Sequence, residues 1–221
     1  MARQALIFGA TGAVGRELLQ HCLDGDRYSE IVVVARRPTT LVHEKLCWVE
    51  CEYDVLDKLD TIPGFDGGDA YCCLGTTIKA AGSEAAFRRV DYDYVVSAAR
   101  FAKKCGVMHF CMVSALSANA KSNWLYSRTK GEVEAAVIEE NFPSLHIFRP
   151  SLLKGKRAEL RLGEEIGNWV SLLIQPVFYL GLRKYQPVGF KQLAHALYNS
   201  SVEDRAPSLI RIYESDEIQL D

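Results

Sequence analysis

The sequence predicts an α/β protein whose central sheet is parallel and doubly wound, and three observations lead there. Short β-branched or apolar runs alternate with longer segments of helical period, the pattern of a parallel sheet covered on both faces. The first run passes straight into a glycine-rich turn and then a helical segment. The 221 residues are 48% hydrophobic, enough for a sizeable core. No repeat, low-complexity tract or Pro/Gly/Ser linker divides the chain, so residues 1–221 are read as one domain. Its core takes about 1–150, and a small substrate-side lobe takes about 151–208, where the pattern loosens after Pro150.

Strands are expected at Ala5 to Phe8, Ile31 to Val34, Leu46 to Glu50, Ala70 to Leu74, Val107 to Val113, Leu145 to Phe148 and Leu209 to Tyr213. Helices are expected between them at Ala13 to Leu23, Glu84 to Lys104, Asn123 to Glu140, Gly163 to Leu173 and Phe190 to Asn199. Ser122 is placed to cap the third helix, and Gly106 ends the second, since glycine tolerates the left-handed residue that stops a helix. Right-handed crossovers then wind the sheet.

Composition narrows the partners. A formal charge of -2 gives no field that would gather nucleic acid or an anionic membrane, so a small-molecule substrate is expected, with a protein partner second. Seven cysteines without a CxxC pair read as reduced, mostly buried thiols, Cys72 and Cys73 among them in a central strand. Five scattered histidines lack ligand spacing, and no metal site is expected. The start of the chain lacks the sections of a secretory signal, which reads as a cytoplasmic protein. The most apolar later stretch, Ile166 to Leu182, is interrupted by Asn168, Gln175 and Pro176 and falls short of the ~20 residues of a spanning helix. A monomer or a homodimer is expected.

The junction after the first strand reads Gly9-Ala10-Thr11-Gly12-Ala13-Val14-Gly15. A turn this tight needs residues without a Cβ, and it aims the N–H groups of a helix N-terminus at a pyrophosphate. The spacing is GxxGxxG, a modest signal by itself; strand before and helix after make it a dinucleotide site of a Rossmann fold. In NAD-binding folds a carboxylate about twenty residues further on holds the ribose 2′-hydroxyl. Here the second strand ends Ala35-Arg36-Arg37-Pro38, two guanidinium groups where a 2′-phosphate would lie, so NADPH is expected over NADH. Asp54 and Val55, after the third strand, are placed to flank the adenine, although an Asp there also serves as an ordinary turn former.

Tyr126 and Lys130 stand at i and i+4, on one face of the third helix. The spacing alone is weak; the position, after the fifth strand whose C-terminal end carries Ser114, is where open α/β sheets hold ligands. Adding hydride to a carbonyl builds negative charge on oxygen, and a positioned acid must then supply a proton. Tyr126 is expected as that acid, with Lys130 lowering its pKa and holding the nicotinamide ribose. Ser114 is expected to donate to the substrate oxygen, with Ser117 a weaker candidate. Arg88 and Arg89 read as a solvated helix face. Trp169, Phe178, Tyr179 and Tyr185 read equally as substrate pocket or lobe core.

The segments GATGAVGRELL, LGTT at Leu74 to Thr77, VSALSAN before YSRTKGEVEAA, and RPSLLKGKR from Arg149 together resemble the atypical short-chain dehydrogenases. The closest subgroup is that of the HIV Tat-interacting protein, and the likeness covers nearly the whole chain. It implies Gly9, Thr11, Gly12 and Gly15 at the pyrophosphate beside Ala13 and Val14, and Arg36 with Arg37 near the 2′-phosphate. It further implies Leu74, Gly75 and Thr76 beside the adenosine ribose, Ser114, Tyr126 and Lys130 as catalytic residues, and Pro150 to Leu152 around the nicotinamide. Ala115 follows Ser114 where the subgroup has paired serines. An NADPH-dependent reductase of a small carbonyl or conjugated substrate is the leading expectation, and an NADPH-binding regulatory protein acting through a partner is the alternative. A nucleotide-sugar epimerase would need a larger lobe than the residues left here.

Overall fold

The computed structural model describes residues 3–154, 183–201 and 209–218. Its strands are β1 (Arg3–Phe8), β2 (Tyr28–Ala35), β3 (Leu46–Glu50), β4 (Gly68–Cys72), β5 (Val107–Val113), β6 (Ser144–Arg149), β7 (Leu153–Lys154), β8 (Val188–Gly189) and β9 (Leu209–Glu214). Seven of them form one parallel sheet in the order β3-β2-β1-β4-β5-β6-β9, while β7 and β8 pair separately. The helices are α1 (Ala13–Asp24), α2 (Ile78–Ala81), α3 (Glu84–Arg88), α4 (Tyr94–Lys104), α5 (Leu125–Glu139), α6 (Phe190–Ser200) and α7 (Ser215–Ile218).

Alternation of side chains along β1 explains why helices cover both faces. Leu6 and Phe8 pack with Ala98, Phe101 and Val133 of α4 and α5, whereas Ala5 and Ile7 pack with Leu18 of α1 and Leu193 of α6. All four β1 residues have no accessible surface. From β1 the order runs one way to β2 and the other way to β4, which opens a crevice at the C-terminal ends of these strands.

Departures from the sequence reading have local causes. β4 ends at Cys72, two residues before the expected Leu74, because Cys73 N–H makes its last bond to Phe8 O at 2.9 Å and the chain then leaves the sheet. The expected single helix from Glu84 to Lys104 contains a π-helical turn, Arg89–Asp93, between α3 and α4. α5 starts at Leu125, and Ser122 Oγ accepts from Trp124 N–H in the approach to it instead of capping it. Gly106 sits at φ 74° and closes the end of α4, as expected. The expected helix from Gly163 to Leu173, with Trp169, Phe178, Tyr179 and most of the lobe at 151–208, lies outside the described residues. No helix among the described residues is long and apolar enough to cross a membrane.

Candidate functional site

The turn between β1 and α1 is built around missing Cβ atoms. Gly9 has φ +81°, and a Cβ there would lie 2.8 Å from the Cys73 carbonyl. A Cβ on Gly15 would lie 2.2 Å from Gly9 O, so only glycine lets α1 sit this close to the strand. Gly12 is the N-cap of α1 and offers no side-chain cap, which leaves the N–H groups of the first turn facing the crevice with the positive end of the helix dipole. A pyrophosphate fits that cradle.

Gly12, Ala13 and Val14 form one wall of a cavity of about 300 Å³. The loop from Cys73 to Thr77 and the end of β5 from Val113 to Ala115 form others, with Tyr126, Lys130, the segment Pro150 to Leu153 and Phe190 completing it. Pyrophosphate turn and reacting residues therefore open into the same space. Thr11 is exposed at the tip of the turn, outside the lining.

Lys130 Nζ lies 2.7 Å from Asp91 Oδ1, and both side chains are buried, at 5% and 1% accessibility. Asp91 hangs from the π-helical turn, a device that redirects a side chain within a helix. Its other oxygen accepts from Thr76 N–H at 2.8 Å, tying the loop after β4 to α5. Gly75 lies beside this pair, where a Cβ would make only ordinary contacts, 3.4 Å from Asp91 Oδ1 and 3.7 Å from Lys130 Nζ. Burial by itself would lower the Lys130 pKa, but the Asp91 carboxylate and Tyr126 reverse that and hold it above its ordinary value.

Tyr126 stacks on Phe87, with ring centroids 5.7 Å apart. The sequence reading had Lys130 bring the phenol pKa down. The balance runs the other way: burial raises it, Lys130 opposes, and Asp91 adds to the rise. Burial is the larger effect although 37% of the residue stays accessible, and the Asp91 carboxylate paired with Lys130 offsets part of that cation's pull. Tyr126 is thus a protonated donor at neutral pH.

Ser114 differs from its expected role as well. Its Oγ–H donates to Glu134 Oε1, which also accepts from Arg149 Nε at 2.9 Å, while Arg149 Nη2 bonds the second Glu134 oxygen. Ser114 and Glu134 are each 4% accessible. A hydroxyl has one proton to give, and this one goes to Glu134.

At the far end, Arg36 and Arg37 are exposed beyond β2, outside the cavity lining, and neither pairs with a carboxylate among the described residues. Arg36 is near enough to help lower the Asp54 pKa, behind the larger effect of Arg89. Asp54 is bonded by Arg89 and by Tyr94 OH, and Val55 is 42% exposed; both lie outside the lining. Arg88 likewise pairs with Glu132, so the two arginines clasp neighbouring elements instead of forming a bare solvated face.

The structure thus gathers Gly12, Ala13, Val14, Leu74, Gly75, Thr76, Ser114, Tyr126, Lys130, Pro150 and Leu152 around one cavity. Cys73, placed by sequence in the strand core, also lines it. Asp91 and Glu134 were missed. Glu134 had a signal, standing four residues after Lys130 on the same helix face; Asp91 had only its place between Phe87 and Tyr94 on a buried side. Among the described residues no three His, Cys, Asp or Glu group closely enough to hold a metal ion.

A parallel sheet with a glycine cradle at its switch point, joined to a Tyr-Lys pair, defines a nucleotide-binding protein of the short-chain dehydrogenase class. Residues 9–161 match the model of a family described as NAD(P)H-binding. Protein HTATIP2 of Rattus norvegicus is 41% identical over 164 residues, covering 73% of this chain and 67% of that protein. Protein FMP52-1, mitochondrial, of Scheffersomyces stipitis is 29% identical over 221 residues, with 97% and 96% covered. Among solved structures, the UDP-Glc/GlcNAc 4-epimerase of Campylobacter jejuni has the same fold at TM-score 0.67 and 13% identity, over 99% of this chain and 82% of that one. The oxidoreductase ylbE of Lactococcus lactis follows at TM-score 0.62 and 16% identity, with 98% and 95% covered. The chain belongs to the NAD(P)H-binding family and is an atypical short-chain dehydrogenase/reductase related to HTATIP2.

One expectation is overturned here. Several yeast relatives carry the name mitochondrial, which points to mitochondria and away from the cytoplasm read from the chain's start. That reading weighed only the features of a secretory signal, and mitochondrial import uses a different kind of signal.

Proposed function

We propose that the chain is an NADPH-dependent reductase of a small carbonyl or conjugated substrate. The observation that carries this is the shared cavity, with the glycine cradle on one wall and Tyr126 and Lys130 on another. Bound there, the dinucleotide would supply hydride at its nicotinamide. Lys130, kept charged by Asp91, holds the nicotinamide ribose, and Pro150 and Leu152 exclude water from the ring. Tyr126 keeps its proton at neutral pH and delivers it to the substrate oxygen as charge develops there. Arg36 and Arg37 favour NADPH by bonding the 2′-phosphate with paired N–H donors.

The test is NADPH oxidation by the purified protein against a panel of aldehydes, ketones, quinones and enones, followed by absorbance. Substrate-dependent oxidation is expected. Tight NADPH binding with no oxidation across the panel would replace this reading with the regulatory one, in which nucleotide occupancy is passed to a protein partner.

A further inference from the structure

Two contacts join α3 and the π-helical turn to the face of α5 that carries the reacting pair, and they run in step. Phe87 of α3 meets the ring of Tyr126 with centroids 5.7 Å and ring planes 27° apart. Asp91 of the π-helical turn holds Lys130 Nζ at 2.7 Å. Phe87 and Asp91 stand at i and i+4, as do Tyr126 and Lys130. The two segments therefore advance in the same direction, and each contact is repeated about one turn on. Arg88, next to Phe87, adds a third tie, to Glu132.

The two ties restrain different motions. The Asp91 carboxylate fixes the place of a charge. A phenol swings about two side-chain bonds, and its hydroxyl lies at the far end, where a small rotation moves the oxygen most. Tyr126 keeps 37% of its surface accessible, whereas Phe87 has none and is a fixed face for the ring laid on it. α3 itself is held at both ends. Ser83 Oγ caps it by accepting from Ala86 N–H at 3.1 Å, and beyond Arg88 the chain passes into the turn where Thr76 N–H and Lys130 hold Asp91.

We infer that Phe87 is a positioning residue for proton delivery: its ring holds the Tyr126 phenol in the plane from which the hydroxyl reaches the substrate oxygen, and with Asp91 it sets the spacing of phenol and ammonium. This rests on the reductase reading. Phe87 lies outside the cavity lining and carries no polar group, so it acts through Tyr126. In the step it serves, the carbonyl carbon takes hydride with its electron pair from NADPH, and the C=O π pair moves to oxygen. That oxygen takes the Tyr126 proton, giving the alcohol and NADP⁺, and Tyr126 regains a proton from water. A donor displaced by about 1 Å loses about 100-fold in rate, which is the scale on which a lost stacking face would act.

The experiment uses Phe87→Leu and the more volume-conserving Phe87→Met, each alone and combined with Tyr126→Phe, on a carbonyl the wild type reduces. Phe101→Leu is the control, since Phe101 of α4 is as buried as Phe87 and belongs to the core against Leu6 and Phe8, outside the cavity lining. NADPH-saturated kcat of both Phe87 variants should fall by about 10- to 100-fold, with NADPH affinity within about threefold. Added to Tyr126→Phe and assayed at raised enzyme concentration, either change should cost less than about a further threefold, because the hydroxyl it positions is already gone. Phe101→Leu should lower the thermal midpoint by about 2–8 °C, as Phe87→Leu does, yet keep kcat within about threefold. Apart from turnover, the Tyr126 ring signals of tyrosine-labelled protein without nucleotide, assigned by their loss in Tyr126→Phe, should move in Phe87→Leu as the facing ring is removed. A Phe87 variant as fast as wild type, a full loss repeated on the Tyr126→Phe background, an equal loss in Phe101→Leu, or unmoved Tyr126 signals would overturn the inference while leaving a reductase. A wild type that reduces no aldehyde, ketone, quinone or enone, or a Tyr126→Phe variant as fast as wild type, would sink the reductase reading and the inference with it.

Discussion

Two buried carboxylates set the chemistry at single residues. Asp91→Asn keeps the shape and the acceptor for Thr76 N–H but removes the charge beside Lys130. Losing an anion lowers a cation's pKa, and burial already pulls Lys130 down, so its titration should drop from above its ordinary value to below it. Lysine side-chain NMR would read this, and an unchanged titration would show that Asp91 does not hold the ammonium. At the other end of the nucleotide, Arg36→Ala with Arg37→Ala should weaken NADPH binding by about 1.5 to 3 kcal/mol per lost charged hydrogen bond and leave NADH binding nearly unchanged. Calorimetry giving equal losses for both nucleotides would refute the phosphate assignment. Tyr126 and Lys130 were legible in sequence because helical spacing puts them on one face; Asp91 was not, since its partner is 39 positions away in sequence and becomes a neighbour only when α5 packs on the π-helical turn.

Among the elements, the β1 turn is the one whose sequence and structure agree most closely, because three glycines between a buried strand and a helix leave few other conformations. Gly15→Ala would put a methyl group against Gly9 O, and α1 would have to move off the strand. Destabilisation by about 1–3 kcal/mol is expected together with weaker nucleotide binding. Urea unfolding and calorimetry that both match wild type would mean the close approach is not needed. The strand β5 starts and ends where its apolar run does, since a buried parallel strand has no polar face to blur its limits, and β3, half-exposed at the sheet edge, keeps its expected limits too. The π-helical turn and the separate β7–β8 pair were illegible: each depends on distant packing, and neither leaves a local periodicity.

For the whole molecule, burial of thiols carries a pH dependence. Cys22 and Cys72 are at 0% and 2% accessibility, and burial raises both pKa values above the ordinary value near 9, Cys72 to about 12. Above pH 9 the unfolded chain loses those protons while the folded one keeps them, so stability should fall as pH rises from 9 toward 12. The loss is about 1.4 kcal/mol per thiol for each unit. A urea midpoint that stays flat from pH 8 to 10.5 in reductant would contradict this. The alternating pattern of runs made the doubly wound sheet legible from sequence, because both helix-covered faces must be apolar. Location was not legible, since a cell's targeting signals are read by receptors and leave no mark on packing. The account as a whole stands on one hydroxyl in this sheet's crevice, and the most direct measurement is NADPH-saturated turnover of Tyr126→Phe against wild type on any substrate the wild type reduces. A fall of about 10² to 10⁴ with nucleotide affinity little changed is the predicted result. Equal turnover in the two proteins would contradict it, because Tyr126 would then have no part in delivering the proton.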